Sequence, residues 1–421
     1  MAKYDYPKIV VTGLGAVTPI GNDLDSYWSG LLEGKSGADF ITKFDAEKFK
    51  TKFACEVKDY DPLLHLNRKE VQKMDLFTQY AMSSAAMAIA DAGLDFENGS
   101  LDLTRAGSVV GSGIGGMWTY HHQQQNLYER DGSPDRISPF FVPMLISDIA
   151  AGYIAIRYGL KGPNYATVSA CATSNHSLCD ALMIIQRGDA DLMVVGGSEA
   201  VVCPMGVGGF NSMKALSTRN DDPKTASRPF DADRDGFVIG EGAGILVLET
   251  EEHAKKRNAK IYAELAGIGM TDDAFHITQP APGGEGAVRS MQLAIADAGL
   301  TIEDIDYVNA HGTSTPFNDR NETAAIKTVF GDRAKDLVVS STKSMTGHLL
   351  GAAGAIEAIA TVKAITESVA PPTINYSTPD EDCDLNYSPN SPTKMNINAA
   401  ISNTFGFGGH NATVCFKKYS S

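Results

Sequence analysis

Ile89-Ala90-Asp91-Ala92-Gly93-Leu94 recurs far along the chain as Ile295-Ala296-Asp297-Ala298-Gly299-Leu300. Each copy closes a helical pattern on a glycine, the residue that most readily takes the left-handed conformation ending a helix. Each also leads into a short β-branched run, Ser108-Val109-Val110 in one case and Tyr307-Val308-Asn309 in the other. Other apolar runs, Ile9-Val10-Val11 and Leu192 to Val195, alternate with helical patterns such as Tyr80 to Asp91. That alternation predicts an α/β fold with a largely parallel sheet. A looser match sets Val168-Ser169-Ala170-Cys171-Ala172-Thr173-Ser174-Asn175-His176 against Ser340-Ser341-Thr342-Lys343-Ser344-Met345-Thr346-Gly347-His348. Two similar halves are expected, 1–258 and 259–421, joined at the polar stretch Glu251-Glu252-His253-Ala254-Lys255-Lys256-Arg257.

Composition bounds the function. The 421 residues are 43% hydrophobic and 21% charged, enough for one large core or two packed units. A net charge of −15 argues against a general nucleic-acid or anionic-membrane surface. Six scattered cysteines, without a C-x-x-C pair, suggest neither a disulfide framework nor a zinc site and fit a reducing cytoplasm. No stretch approaches a membrane span, and Met1 to Gly13 shows no secretory pattern, so a soluble, unsecreted protein is expected.

Four places could carry chemistry. Cys171 lies where a strand-like run, Ala166-Thr167-Val168, breaks on small residues and resumes as a helix. Unsatisfied N–H groups at a helix start favour thiolate over thiol; the competing reading is a small cysteine filling a tight junction. His311 follows a strand in Asn309-Ala310-His311-Gly312-Thr313-Ser314-Thr315, and His348 ends a similar motif with Lys343 five positions before it. Either histidine alone reads as a hydrogen-bonded structural group. Together with the cysteine, at strand ends of duplicated halves, they point to one shared site. Ser402-Asn403-Thr404-Phe405-Gly406-Phe407-Gly408-Gly409-His410 packs glycines that let backbone amides point inward, as an oxyanion hole requires, or else forms a glycine-rich hairpin over two core aromatics.

These motifs, with Gly111-Ser112-Gly113-Ile114-Gly115-Gly116, Ile137 to Pro143, Leu216 to Asn220 and Arg228-Pro229-Phe230-Asp231, resemble the β-ketoacyl-[acyl carrier protein] synthases of the condensing-enzyme family, the type II members most closely, from Lys8 to Lys418. The resemblance implies a duplicated thiolase-like fold, two βαβαβαββ halves layered α-β-α-β-α, in a cytoplasmic homodimer. It implies an acyltransferase of bacterial fatty-acid elongation that needs no cofactor and works with acyl- and malonyl-loaded carrier protein. By the same resemblance Cys171 is the nucleophile, His311 and His348 donate to the enolate oxygen, and Lys343 supports His348 and the local charge; the competing reading of Lys343 is a buried salt bridge to Glu357. The amides of Cys171 and Phe407 form the oxyanion hole, Phe407 gates the acyl pocket and Ile114 lines its far end. Thr313 and Thr315 meet the phosphopantetheine arm. Asn309, Glu357, Ser402 and Asn403 match positions at which some relatives hold a monovalent cation.

Arg68, Lys69 and Lys73, the last two on one helical face, with Arg136, Lys214 and Arg219, form the expected patch for an acidic carrier. Asp135 beside Arg136, His410 in place of the more usual threonine, and Asn175-His176 depart from the pattern. Three other readings compete. Gly111 to Gly116 with Asp131 satisfies a dinucleotide-binding G-x-G-x-x-G, although the helix that follows is bulky and polar. A silent chain-length-factor partner would lack the nucleophile. A degradative thiolase would use a second cysteine as base.

Overall fold

A computed structural model of the chain describes residues 6–96 and 98–420; the first five residues of the stretch read for a secretory pattern lie outside it. Ten strands make one hydrogen-bonded sheet. They are β1 (Ile9–Val17), β2 (Ala106–Gly111), β3 (Asn164–Tyr165), β4 (Leu192–Glu199), β5 (Gly242–Thr250), β6 (Ala263–Asp272), β7 (Tyr307–Asn309), β8 (Val338–Ser340), β9 (Ala399–Gly406) and β10 (His410–Lys418). Their spatial order, β8-β7-β9-β10-β6-β1-β5-β4-β2-β3, reads the same from both ends toward the β6–β1 pair. On each side the first strand pairs antiparallel with the next, that one antiparallel with a third, and the last two pairings are parallel. The sheet is therefore mixed, and the duplication expected from the sequence is present in its topology.

Five helices build the layers: α1 (Leu76–Asp91), α2 (Thr173–Gln186), α3 (Glu285–Asp297), α4 (Pro316–Phe330) and α5 (Ala353–Glu367). Helices α2 and α5 pack on each other and touch strands of both halves, so they form the middle layer; α1 covers the outside of one half and α3 the outside of the other. This is the α-β-α-β-α arrangement. A strand with helices on both faces buries side chains on both, and β5 is buried from Gly242 to Glu249. Ile245 and Val247 join the cluster under α1, while Leu246 and Leu248 join the central cluster with Leu182, Ile356 and Ile359. Removing such a side chain to Ala costs about 2–5 kcal/mol.

The repeated hexapeptide does the same work twice. Gly93 and Gly299 close α1 and α3 at φ of 64° and 66°. The Asp91 carboxylate accepts Leu14 N–H of β1 at 2.9 Å, and Asp297 accepts Ile268 N–H of β6 at 3.0 Å. The looser match is corrected. By topology β3 and α2 correspond to β8 and α5, and each pair is bridged by a 3-10 turn, Ala170–Ala172 or Leu350–Ala352. Cys171 thus matches Gly351, not Lys343, and both turns open on a residue in the left-handed region, Ala170 at φ 49° and Leu350 at φ 48°. The strand before Cys171 also ends sooner than expected, at Tyr165, leaving 166–169 irregular.

Candidate active site

The Cys171 turn presses against the end of β9. A Cβ placed on Gly406 would lie 2.8 Å from Ser169 O and 3.1 Å from Cys171 N, so only glycine lets the strand approach this closely. The approach aims the Phe407 N–H at the thiol, where it favours the thiolate. Cys171 N–H precedes the first bond inside the turn, Ala172 N–H to Ser169 O at 3.0 Å, and so is also available to a ligand.

Cys171 Sγ and a ring nitrogen from each of His311 and His348 lie within 4.8 Å of one another, all buried. The structure brings together three residues drawn from both halves. His348 Nε2 stands 3.0 Å from Sγ, and its Nδ1 accepts the Leu350 N–H at 3.3 Å. A neutral imidazole that accepts at Nδ1 carries its proton on Nε2, so His348 donates toward the sulfur. Burial and the Lys343 charge push both imidazoles well below the usual histidine value, which keeps them neutral. His311 Nδ1 is buried with no hydrogen-bond partner, an arrangement that costs less for an acceptor than for a donor and so also places the proton on Nε2.

The thiolate expected from the helix start is not the resting form. Burial, aided by the Glu199 and Glu357 carboxylates and opposed by Lys343 and the Phe407 amide, pushes the Cys171 thiol up to about 12. Lys343 is itself buried and bonds Glu357, whose carboxyl burial pushes up to about 7.

The three groups open into one cavity of about 530 Å³, lined by Ile114, Thr313, Thr315, Phe405, Phe407 and Lys214 among others. Cys171 is the one cysteine in that lining, so the second cysteine a thiolase would use is not among the described wall residues. Thr313 and Thr315 hydroxyls bond each other at 2.9 Å. Lys214 alone of the six basic residues belongs to the wall. Arg68, Lys69, Lys73 and Arg136 are exposed, while Arg219 is half-buried and bonds Asp233 O at 3.1 Å. The helix expected to carry Lys69 and Lys73 on one face is a single turn, Arg68–Val71, ending before Lys73, which instead stands over the Phe140 ring. Asn67 and Glu70 cap each other reciprocally at its start, and the chain turns at Gln72 and Lys73 before Asp75 caps α1.

Beneath the site, Asn309 Oδ1, Glu357 Oε2 and Ser402 Oγ are buried without hydrogen-bond partners, with Asn309 and Ser402 opposite each other on adjacent strands. Three orphaned oxygens from such a set suit a small cation of low charge. Asn403 departs from this group, because its Oδ1 accepts from Thr413 and its amide bonds Glu322.

Two buried carboxylates escaped the sequence reading. Glu322 of α4 accepts the His311 and Gly312 N–H groups, both at 2.8 Å. Glu199, at the end of β4, accepts Gly113 N–H, Ile114 N–H and the Ser112 hydroxyl. An acidic residue closing the run Gly196-Gly197-Ser198-Glu199 was the available signal. Glu199 also removes the dinucleotide reading, since the glycine loop's amides are taken by the protein's own carboxylate. Asp131, the acidic residue of that reading, sits exposed in a turn.

The chain is similar to known proteins along its length. The β-ketoacyl synthase N-terminal domain matches residues 7–254 and the C-terminal domain residues 262–377. A Synechocystis protein named 3-oxoacyl-[acyl-carrier-protein] synthase 2 is 51% identical over 419 residues, covering 100% of both chains. A Staphylococcus aureus protein of the same name is 52% identical, covering 98% of this chain and 99% of its own. A crystal structure of a β-ketoacyl synthase from Burkholderia phymatum superposes with a TM-score of 0.91 at 35% identity, covering 98% of this chain and 100% of the other. A type II polyketide ketosynthase solved in complex with its acyl-carrier protein superposes with a TM-score of 0.91 at 35% identity, over 99% and 100%. Both domains and relatives of full length agree, and this chain belongs to the β-ketoacyl synthase family.

Proposed function

We propose that the chain catalyses the decarboxylative condensation of malonyl-[acyl carrier protein] with an acyl group held on Cys171. The products are 3-oxoacyl-[acyl carrier protein] and carbon dioxide, an elongation step of bacterial fatty-acid synthesis. The names of its full-length relatives support the substrate class. The observation that carries the mechanism is the His348 tautomer: Nδ1 occupied by the Leu350 N–H and Nε2–H facing Cys171 Sγ.

Cys171 attacks the acyl thioester. Charge develops on the carbonyl oxygen between the amides of Cys171 and Phe407, each donor worth about 3 kcal/mol in such a site. The carbon–sulfur bond of the carrier breaks, and the departing pantetheine sulfur takes the thiol proton. A resting thiol near 12 is consistent with this order, because the Nε2–H of His348, the Phe407 amide and the Lys343 charge favour thiolate as it forms. In the second half-reaction the bond to the malonyl carboxylate breaks and its electron pair becomes an enolate. His311 and His348 donate Nε2–H to the enolate oxygen. The enolate carbon then attacks the acyl carbonyl, and Cys171 leaves to recover its proton from solvent.

Phe407 gates the acyl pocket in this reading, Ile114 bounds it, and Thr313 and Thr315 receive the pantetheine arm. Arg68, Lys69, Lys73, Arg136, Lys214 and Arg219 attract the acidic carrier. Asn309, Glu357 and Ser402 would hold a monovalent cation, which would satisfy their orphaned oxygens and offset the Glu357 charge. The join between halves falls at 258/259. The enzyme is a homodimer, paired along the sheet edge at β3 and the irregular stretch after it, where Tyr165 is 39% and Val168 60% exposed. A cytoplasmic setting is in keeping with six free cysteines.

The test is to follow carbon dioxide release and self-acylation separately in His311→Ala and His348→Ala. Each variant is expected to slow release about a hundredfold or more, as expected for removing a donor to a developing oxyanion, and to slow self-acylation less. Equal loss of both steps would contradict the assignment.

A further inference from the structure

Glu199 contributes nothing to the steps above and opposes one of them, since its charge raises the Cys171 thiol that must ionise. A carboxylate placed there needs another reason. Its geometry supplies one. Oε2 accepts Gly113 N–H and Gly351 N–H, both at 2.9 Å. Oε1 accepts Ile114 N–H at 3.2 Å and the Ser112 hydroxyl at 3.0 Å. One buried side chain therefore clamps the loop after β2 to the 3-10 turn before α5, across the boundary between the halves. The two segments touch: a Cβ on Gly351 would fall 2.3 Å from Gly113 N and 2.7 Å from Glu199 Oε2. What each segment carries matters. The first presents Ile114 to the cavity. The second holds Leu350, whose strained backbone aims its N–H at His348 Nδ1.

The other half repeats the device. After β7, the strand equivalent to β2, Glu322 accepts the amides of His311 and Gly312, which by strand register match Gly111 and Ser112 of the first half. Each half thus holds the loop beyond that strand on a buried carboxylate, with Glu322 acting two positions nearer the strand than Glu199.

We propose that Glu199 is a positioning residue that sets two properties of the reaction at once: the His348 tautomer, through Gly351 and Leu350, and the shape of the acyl pocket, through Ile114. The proposal rests on the condensing-enzyme reading, and that reading is checked first by requiring the unmutated protein to acylate itself and to release carbon dioxide.

All four partners donate, so Glu199→Gln introduces a donor among donors and must release one side of the clamp. Three quantities are compared with the unmutated protein: the melting temperature, carbon dioxide release from malonyl carrier, and relative self-acylation rates with short, medium and long saturated acyl carriers. Glu199→Gln is expected to change the chain-length preference several-fold and to slow release about tenfold or more, the scale at which small displacements of reacting groups act. Ser112→Ala loosens only the Ile114 side, and is expected to alter chain-length preference without altering carbon dioxide release. A Glu199→Gln protein that melts earlier but keeps both the native preference and the native release rate would overturn the proposal. If Glu199→Gln does not fold, a Ser112→Ala protein with unchanged preference, or with release slowed as much as acylation, would overturn it equally.

Discussion

Lys343 is the side chain on which the electrostatics of the site turn. Its buried ammonium lowers the Cys171 thiol and both imidazoles at once, and its partner Glu357 is already pushed up to about 7. In Lys343→Met the thiol should rise further, so alkylation of Cys171 by iodoacetamide should slow about tenfold for each pH unit of added pKa. Glu357 then stands alone. A carboxyl whose folded pKa is raised binds its proton more tightly in the native state, and therefore costs stability as pH rises through that value. The deficit in melting temperature of Lys343→Met should thus be larger near pH 9 than near pH 6; an equal deficit at both would contradict the account. Cys171, His311, His348 and Lys343 were legible in the sequence because each sits in a short motif of unusual residue types. Glu199 and Glu322 were not. An acid at a strand end or on a helix reads as solvated, and only tertiary packing buries it.

Among the elements, the contact between β9 and the Cys171 turn is the one on which the oxyanion hole depends. Gly406→Ala would place a methyl group 2.8 Å from Ser169 O and 3.1 Å from Cys171 N. The strand end must then withdraw, taking the Phe407 amide with it. Overpacking of this kind costs about 1–3 kcal/mol, and loss of one oxyanion donor costs about a hundredfold in rate. Self-acylation measured by single-turnover kinetics should fall on that scale while the protein still unfolds cooperatively; native acylation would contradict the assigned hole. The sequence announced the glycines here but placed the duplicated turn wrongly. Ser169-Ala170-Cys171-Ala172-Thr173 and Leu349-Leu350-Gly351-Ala352-Ala353 share little beyond one alanine, because what the duplication preserves is a left-handed residue opening a 3-10 turn, a property of backbone rather than of side chains. The expected Lys69–Lys73 face failed for a related reason: capping at Asn67 starts a helix that the turn at Gln72 and Lys73 stops within one turn.

At the scale of the molecule, the two halves meet along β1 and β6, and in each half a glycine lets the outer helix press close on that strand. A Cβ on Gly13 would lie 2.1 Å from Ala88 O of α1, and one on Gly267 lies 2.4 Å from Ala294 O of α3. That symmetry was readable from one repeated hexapeptide, whose aspartates and glycines perform identical tasks in both copies. The opposite end of the sheet, at β3, leaves strand edge and apolar side chains in the open, a liability that natural proteins cover. Val168→Asp should therefore convert a dimer to monomers in sedimentation experiments and weaken acylation by long chains; a monomeric unmutated protein would refute the paired edge. The central claim is that a thiol from one half and two imidazoles from the other act in one cavity. Incubation with an acyl-loaded carrier, followed by mass spectrometry of the protein and its peptides, tests it most directly. The account predicts a mass increase of one acyl group located on the peptide containing Cys171 and absent from Cys171→Ala. Acylation at another residue, or acylation that survives Cys171→Ala, would contradict it.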